Sequence, residues 1–176
     1  MRTAFLKFNF LTPAGAIFSQ CRKYRYVLWR NWGVEKKRVV FIGLNPSTAD
    51  ETIDDPTVRR CIAYAKNWGF SGMFMLNIFA FRSTNPKLMK AEPDPVGVDN
   101  DFWLEKICST PEAQLVIAKW GNHGVHNKRS EAIKRLLPQL SCLGVTNTGE
   151  PKHILYLPYG LKPTTYHKRS ESCLLG

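Results

Sequence analysis

The chain reads as an α/β protein: a three-layer αβα arrangement around a central, mostly parallel four-stranded sheet, preceded by N-terminal antiparallel strands. Three observations predict it. From residue 39 onward, apolar runs of strand length alternate with stretches of helical periodicity, and that alternation favours a parallel sheet covered on both faces. The first forty residues instead alternate aromatic-rich runs with turns, as antiparallel hairpins do. A chain of 176 residues is the right length for one such domain with a proper core.

The elements follow in order. Ala4 to Phe10, Ala16 to Phe18 and Tyr24 to Trp29 are expected as strands, the first two separated by the turn Pro13-Ala14-Gly15. Val39 to Ile42 begins the core as a buried strand. Asp54-Asp55-Pro56 supplies a cap and a first-turn proline, and Val58, Cys61, Ile62 and Ala65 then share one helical face until Gly69. Met73 to Ile78 is the next strand, Val98 to Ile107 a helix, Leu115 to Ala118 a strand, Lys128 to Leu137 a helix, and Cys142 to Val145 a short last strand. Pro93-Asp94-Pro95 is a loop. One domain over residues 1–166 is expected, with the antiparallel strands in 1–38, the core in 39–160 and a polar tail over 167–176.

Lysine and arginine number 25 against 14 acidic residues, a formal charge of +11. That excess suits a polyanionic partner, with a merely solubilising surface as the plainer reading. Cys21, Cys61, Cys108, Cys142 and Cys173 are too widely spaced for a zinc ribbon or a disulfide framework. Without a signal peptide or a membrane-length apolar run, a soluble, cytoplasmic, monomeric protein is expected.

The chemistry gathers at strand ends. Asn45-Pro46 and Asn77 each close an apolar run with an amide, Trp120-Gly121 closes a third, and His153 lies in the loop Gly149 to Pro158. Each has a structural alternative: a turn, a loop cap, core packing, a satisfied loop histidine. The carboxyl ends of parallel strands nevertheless line one crevice, so the four residues can converge. The acidic run Asp50 to Asp55 reads as a capping, solvated loop rather than a magnesium site. Asp50 remains open, either accepting backbone amides or serving as a general base.

Together these segments resemble the uracil-DNA glycosylase superfamily over residues 39–160. Gly43-Leu44-Asn45-Pro46-Ser47 resembles its first, water-positioning motif, Asn77 its base-reading asparagine, Trp120-Gly121 its strand-closing pair, and His153 with Ile154 and Leu155 its histidine and DNA-penetrating loop. Closer still, Cys21-Arg22-Lys23-Tyr24-Arg25-Tyr26, Asn45 to Asp50 and Asp55-Pro56-Thr57 are similar to a domain-of-unknown-function family of small bacterial and viral proteins. The first resemblance implies a DNA glycosylase-like protein that extrudes a pyrimidine, modified or not, and hydrolyses its N-glycosidic bond without metal or cofactor. Asn45 would hold the water, His153 would donate to the departing base, and Asp50 would stand beside them as a possible base. Asn77, with Phe79 and Trp120, would hold the base, and Phe81 and Tyr64 are further stacking candidates. Ser47, Thr48, Arg82, Ser83, Lys152, Ile154 and Leu155 would grip the DNA.

Two departures stand out. His153-Ile154-Leu155-Tyr156 is bulkier than the serine- and proline-bearing loop of that superfamily, and no cysteine cluster suits an iron–sulfur centre. Because an amide cannot take a proton, Asn45 would orient water without deprotonating it. The same crevice also suits a base- or nucleotide-binding protein that breaks no bond.

Overall fold

Successive residues of a strand face opposite sides of its sheet, and in Arg38–Gly43 (β3) both sides are buried: Val40 and Ile42 join one apolar cluster, Val39 and Phe41 another. The computed structural model describes residues 9–137 and 139–168. Around β3 stand Ala14–Phe18 (β1), Arg25–Asn31 (β2), Gly72–Asn77 (β4), Ala113–Ala118 (β5), Gln139–Cys142 (β6) and Thr164–Lys168 (β7), in the order β1-β2-β4-β3-β5-β6-β7. β3 pairs in parallel with β4 and β5, and β5 with β6; the β1–β2, β2–β4 and β6–β7 pairings are antiparallel.

The protein is therefore α/β, but its sheet is mixed and seven-stranded rather than a mostly parallel four. The difference has two sources. β2 hydrogen-bonds to β4 and so joins the main sheet instead of preceding it. The polar, β-branched segment Thr164–Lys168 adds a further edge strand, taking in His167 from the expected tail. The last core strand also lies earlier than expected, at Gln139–Cys142, because Gly144 turns the chain at φ +136°. The strand expected over Ala4 to Phe10 falls mostly outside the described residues; Phe10 itself packs edge-on against Trp29 and Phe74.

Four α-helices among the described residues cover the sheet. Pro56–Asn67 (α1) starts as the sequence predicts, with Asp55 accepting a 2.8 Å bond from the Val58 amide and proline next in line. It lays Val58, Cys61, Tyr64 and Ala65 on the Val39/Phe41 face. Asn100–Cys108 (α3) and Arg129–Leu136 (α4) cover the other face through Trp103, Leu104, Ile107 and Ile133. The short helix Pro86–Ala91 (α2) was not expected from the sequence; it has a cap, Asn85, but too few residues for a periodic signal. No helix among the described residues is long and apolar enough to cross a membrane.

This topology creates one special edge. The chain leaves β3 through α1 toward β4 on one side, and leaves β5 through α4 toward β6 on the other. The carboxyl ends of β3 and β5 thus flank a topological switch point, where open α/β sheets hold ligands.

Candidate functional site

At that edge opens a cleft of about 360 Å³, and the residues that end the strands line it. Leu44, Asn45 and Ser47 follow β3, Asn77 ends β4, and Lys119, Trp120 and Gly121 follow β5. β2 runs antiparallel to β4, so its first residue, Arg25, reaches the same edge. Asp55 and Thr57 enter from the start of α1, Ser83 and Thr84 from the loop after β4, and His153 from the opposite wall.

Asn77 is held by its backbone and left free at its side chain. Asn100 donates 3.0 and 3.1 Å bonds to the carbonyls of Asn77 and Ile78, and Arg129 donates a 2.7 Å bond to Ile78 as well. The Asn77 side chain is only 1% exposed, yet neither Nδ2 nor Oδ1 has a hydrogen-bond partner among the described residues. Burying such a group unpaired costs about 1–3 kcal/mol. A buried amide lining a cleft is accordingly suited to a ligand edge that both accepts and donates.

Asn45 is oriented differently. Its Nδ2 lies 2.8 Å from the Ser83 carbonyl, 3.2 Å from that of Pro46 and 3.4 Å from that of Phe81. Three acceptors around one end fix the nitrogen there, so Oδ1 points the other way as an acceptor. The same contacts stitch the loop after β3 to the loop after β4, reinforced by Ser83 N–H to Pro46 O at 2.8 Å.

The opposite wall is built from β5 and the loop beyond β6. Trp120 Nε1 donates to Glu150 at 2.6 Å, and Glu150 also accepts from Ser130 Oγ at 3.2 Å. Gly124 lies under the indole so closely that a Cβ would stand 2.2 Å from its Cδ1. Gly121, at φ +69°, donates its N–H to Pro151 O at 2.8 Å and ties this strand end to the His153 loop. His153 Nδ1 accepts from the Leu155 amide at 3.3 Å, so its proton sits on Nε2. Burial, and then the charge of Lys119, push its pKa down to about 4, against a smaller opposing pull from Asp55. The imidazole is therefore a neutral N–H donor at physiological pH.

Several expected site residues lie elsewhere. Asp50 accepts from the Thr52 and Ile53 amides at 2.9 and 2.8 Å, the first of its two alternatives, and it does not line the cleft. Those amides, Thr52's first, hold its carboxyl below the usual range. Phe79 is fully buried in the core beside His126, which leaves it no face to offer a base. Ile154 is also fully buried, because the 3₁₀ turn Ile154–Tyr156 directs it beneath α1; it cannot penetrate a duplex from there. Leu155 is half-buried, and the exposed side chain of that turn is Tyr156, at 85%. Arg82 lies over the Phe18 ring and donates to the Arg22 carbonyl, while Thr48 and Lys152 are exposed outside the lining. The Ser83 hydroxyl is engaged by Asn85. Of the further stacking candidates, Tyr64 packs against Trp68 and Phe81 against Tyr24, both away from the lining.

Among the cleft residues to which sequence reasoning assigns no site role, Lys119, Arg25 and Asp55 are the buried charged ones. Lys119 is 2% exposed, and its side chain makes no hydrogen bond or ion pair among the described residues. Burial lowers its pKa from the ordinary lysine value. Arg25, equally buried, donates to Ala49 O at 2.8 Å and leaves Nε unpaired; burial lowers it to about 10. The signal that could have found Lys119 is its position, a lone cation directly after an apolar strand at the edge where Asn45 and Asn77 stand.

Comparisons with curated proteins and with solved structures give no match. Residues 25–155, from the start of β2 through Leu155, match a protein family of unknown function, DUF1643. That span carries every strand end of the cleft, and the chain belongs to this family.

Proposed function

We propose that the cleft receives a pyrimidine base extruded from a nucleic acid, most simply DNA, and that the protein hydrolyses its N-glycosidic bond. The observation that carries this reading is the buried, unpartnered amide of Asn77, whose donor and acceptor match the paired polar edge of a pyrimidine. The other groups suit the reaction. The C1′–N bond breaks with its electron pair on the base, a water oxygen adds to C1′, and the water proton ends on the departed base. Asn45 Oδ1, fixed by its amide nitrogen, holds the water. His153, neutral with Nε2–H, donates to an oxygen of the base as charge develops there. The net charge of +11 supplies the attraction to phosphates, and Ser47, half-buried in the lining, offers them a hydroxyl. The residue pattern behind this reading resembles that of the uracil-DNA glycosylase superfamily.

One observation favours a second reading, base binding without cleavage. The water-holding position is an amide, and the one carboxylate in the lining, Asp55, is engaged in capping α1. Oligonucleotides carrying labelled uracil, mismatched thymine or bulky modified pyrimidines, single- and double-stranded, separate the two. Release of free base from any of them supports hydrolysis. Tight, base-selective binding with no release leaves the protein a reader, and no base selectivity at all ends both readings.

A further inference from the structure

The cleft floor holds two buried cations, Arg25 and Lys119, and one buried carboxylate, Asp55. Asp55 already spends one oxygen on the Val58 amide. Arg25 has Ala49 O as a partner; Lys119 has none among the described residues. Asp55 is the carboxylate whose charge acts on Lys119, without forming an ion pair with it, and Arg25 opposes that pull; a buried ammonium so weakly compensated is rare unless a ligand supplies an anion. Its location says where that ligand's charge would lie. A Cβ built on Gly43 would stand 2.9 Å from Lys119 Nζ and 2.8 Å from Asn77 Oδ1, so the two atoms lie within about 6 Å of each other over one glycine. They do not bond to each other.

We propose that Lys119 is a catalytic residue of this cleft, the counter-charge for a base that departs as an anion. The inference rests on the reading of the cleft as a base pocket. A group read by Asn77 brings its neighbouring carbonyl oxygen within reach of Nζ, and the electron pair released by the C1′–N bond delocalises onto that oxygen. The ammonium keeps its proton and hydrogen-bonds the oxyanion, while the water oxygen adds to C1′ and the proton that water loses ends on the released base. This placement also answers the absence of a strong base at Asn45: the leaving group is activated in place of the water. Burial, which lowers the pKa of Lys119, disfavours its charged form, and an anion bound beside it would favour that form again.

Binding and release test it together. Barbituric acid, a ring of the same shape that is an anion at neutral pH, is compared with neutral uracil by titration calorimetry. The parent chain should bind barbiturate at least about tenfold more tightly, the scale of one partly desolvated charge pair. Lys119→Met and Lys119→Gln should abolish that preference. In oligonucleotides, Lys119→Met should slow release of uracil far more than release of 5-fluorouracil, whose anion needs less stabilisation. If neither variant folds, ¹³C-labelled lysine in the parent decides, because the Lys119 resonance must move with barbiturate and stay with uracil. Equal affinity for the two rings, or equal slowing of both leaving groups, overturns the role of Lys119 while base release leaves the pocket reading intact. A parent that releases no base overturns the hydrolysis and the catalytic role with it.

Discussion

Asn77 and Lys119 face each other across Gly43, each with a polar atom within 3 Å of where a Cβ on that glycine would stand. Gly43 is paired with Asn77 in the parallel β3–β4 register, so the two strands end side by side with the lysine of β5 reaching over them. Gly43 has no positive φ to explain it. What it supplies is room: the absent side chain is the space in which an unpaired amide and an unpaired ammonium both point at the cleft.

Gly43→Ala should therefore damage the site more than the fold. The methyl would have to displace Asn77 Oδ1 and Lys119 Nζ, both buried, and overpacking of that kind costs about 1–3 kcal/mol. We expect a cooperative unfolding transition at a lowered denaturant midpoint, with base-selective binding reduced well beyond what the lost stability explains. An alanine variant with full selectivity would show that the two polar side chains do not act from the positions described.

Asn77→Leu should separate stability from function in the opposite sense. In the free protein the amide is buried with neither atom paired, and an apolar side chain of similar volume removes that penalty of about 1–3 kcal/mol. The melting temperature should stay level or rise while selective binding of any base is lost. A large fall in stability would make Asn77 a structural residue whose partners lie in water or in another arrangement of the loop.

How far the site is legible in the chain depends on what each residue does to a pattern. Asn45 and Asn77 interrupt apolar runs, so they stand out, and the Asp55-Pro56 cap can be read because its chemistry is local. Arg25 looks like an ordinary surface cation in the sequence and Lys119 differs only in directly following an apolar strand; the side-by-side placement of β2, β4, β3 and β5 is what buries both at one edge. Ile154 shows the reverse. An apolar residue after a histidine resembles an exposed wedge, but a three-residue 3₁₀ turn sends it into the core and brings Tyr156 outward. The mixed sheet escapes for the same reason: strand signals mark β1 and β2, but nothing local says that β2 will pair with β4.

The net charge of +11 predicts that affinity for an oligonucleotide falls steeply between 50 and 200 mM salt, on the order of 10³-fold if about six phosphates are contacted. Lys152→Ala should weaken binding to all sequences alike and flatten the salt slope, since this lysine is exposed outside the cleft lining. Filter binding over a salt series measures both. A variant that changes base preference instead would place Lys152 against a base.

His153 gives a pH signature that a loop histidine would lack. Its folded pKa is about 4, against 6.5 for an ordinary histidine, because burial and then Lys119 oppose the charged form while Asp55 pulls weakly the other way. Between those values the unfolded chain binds the proton and the folded chain does not. The stability contributed by this group is therefore complete above pH 6.5 and is lost as pH falls toward 4. His153→Ala should show a smaller loss of stability than the parent between pH 6.5 and 4 by chemical denaturation, the difference isolating this one side chain from the other titrating groups. The same neutrality sets its catalytic limits. A donor that is uncharged throughout pH 5.5–7.5 adds no inflection to the rate near 6.5, so the parent's single-turnover release should be flat there as far as this residue governs it. His153→Ala should lower that rate about 100-fold, the scale of one lost oxyanion donor, with affinity for the intact substrate largely kept. A parent rate that falls with an inflection near 6.5 would mean the imidazole titrates normally and is not the neutral, half-buried donor its contact with the Leu155 amide describes.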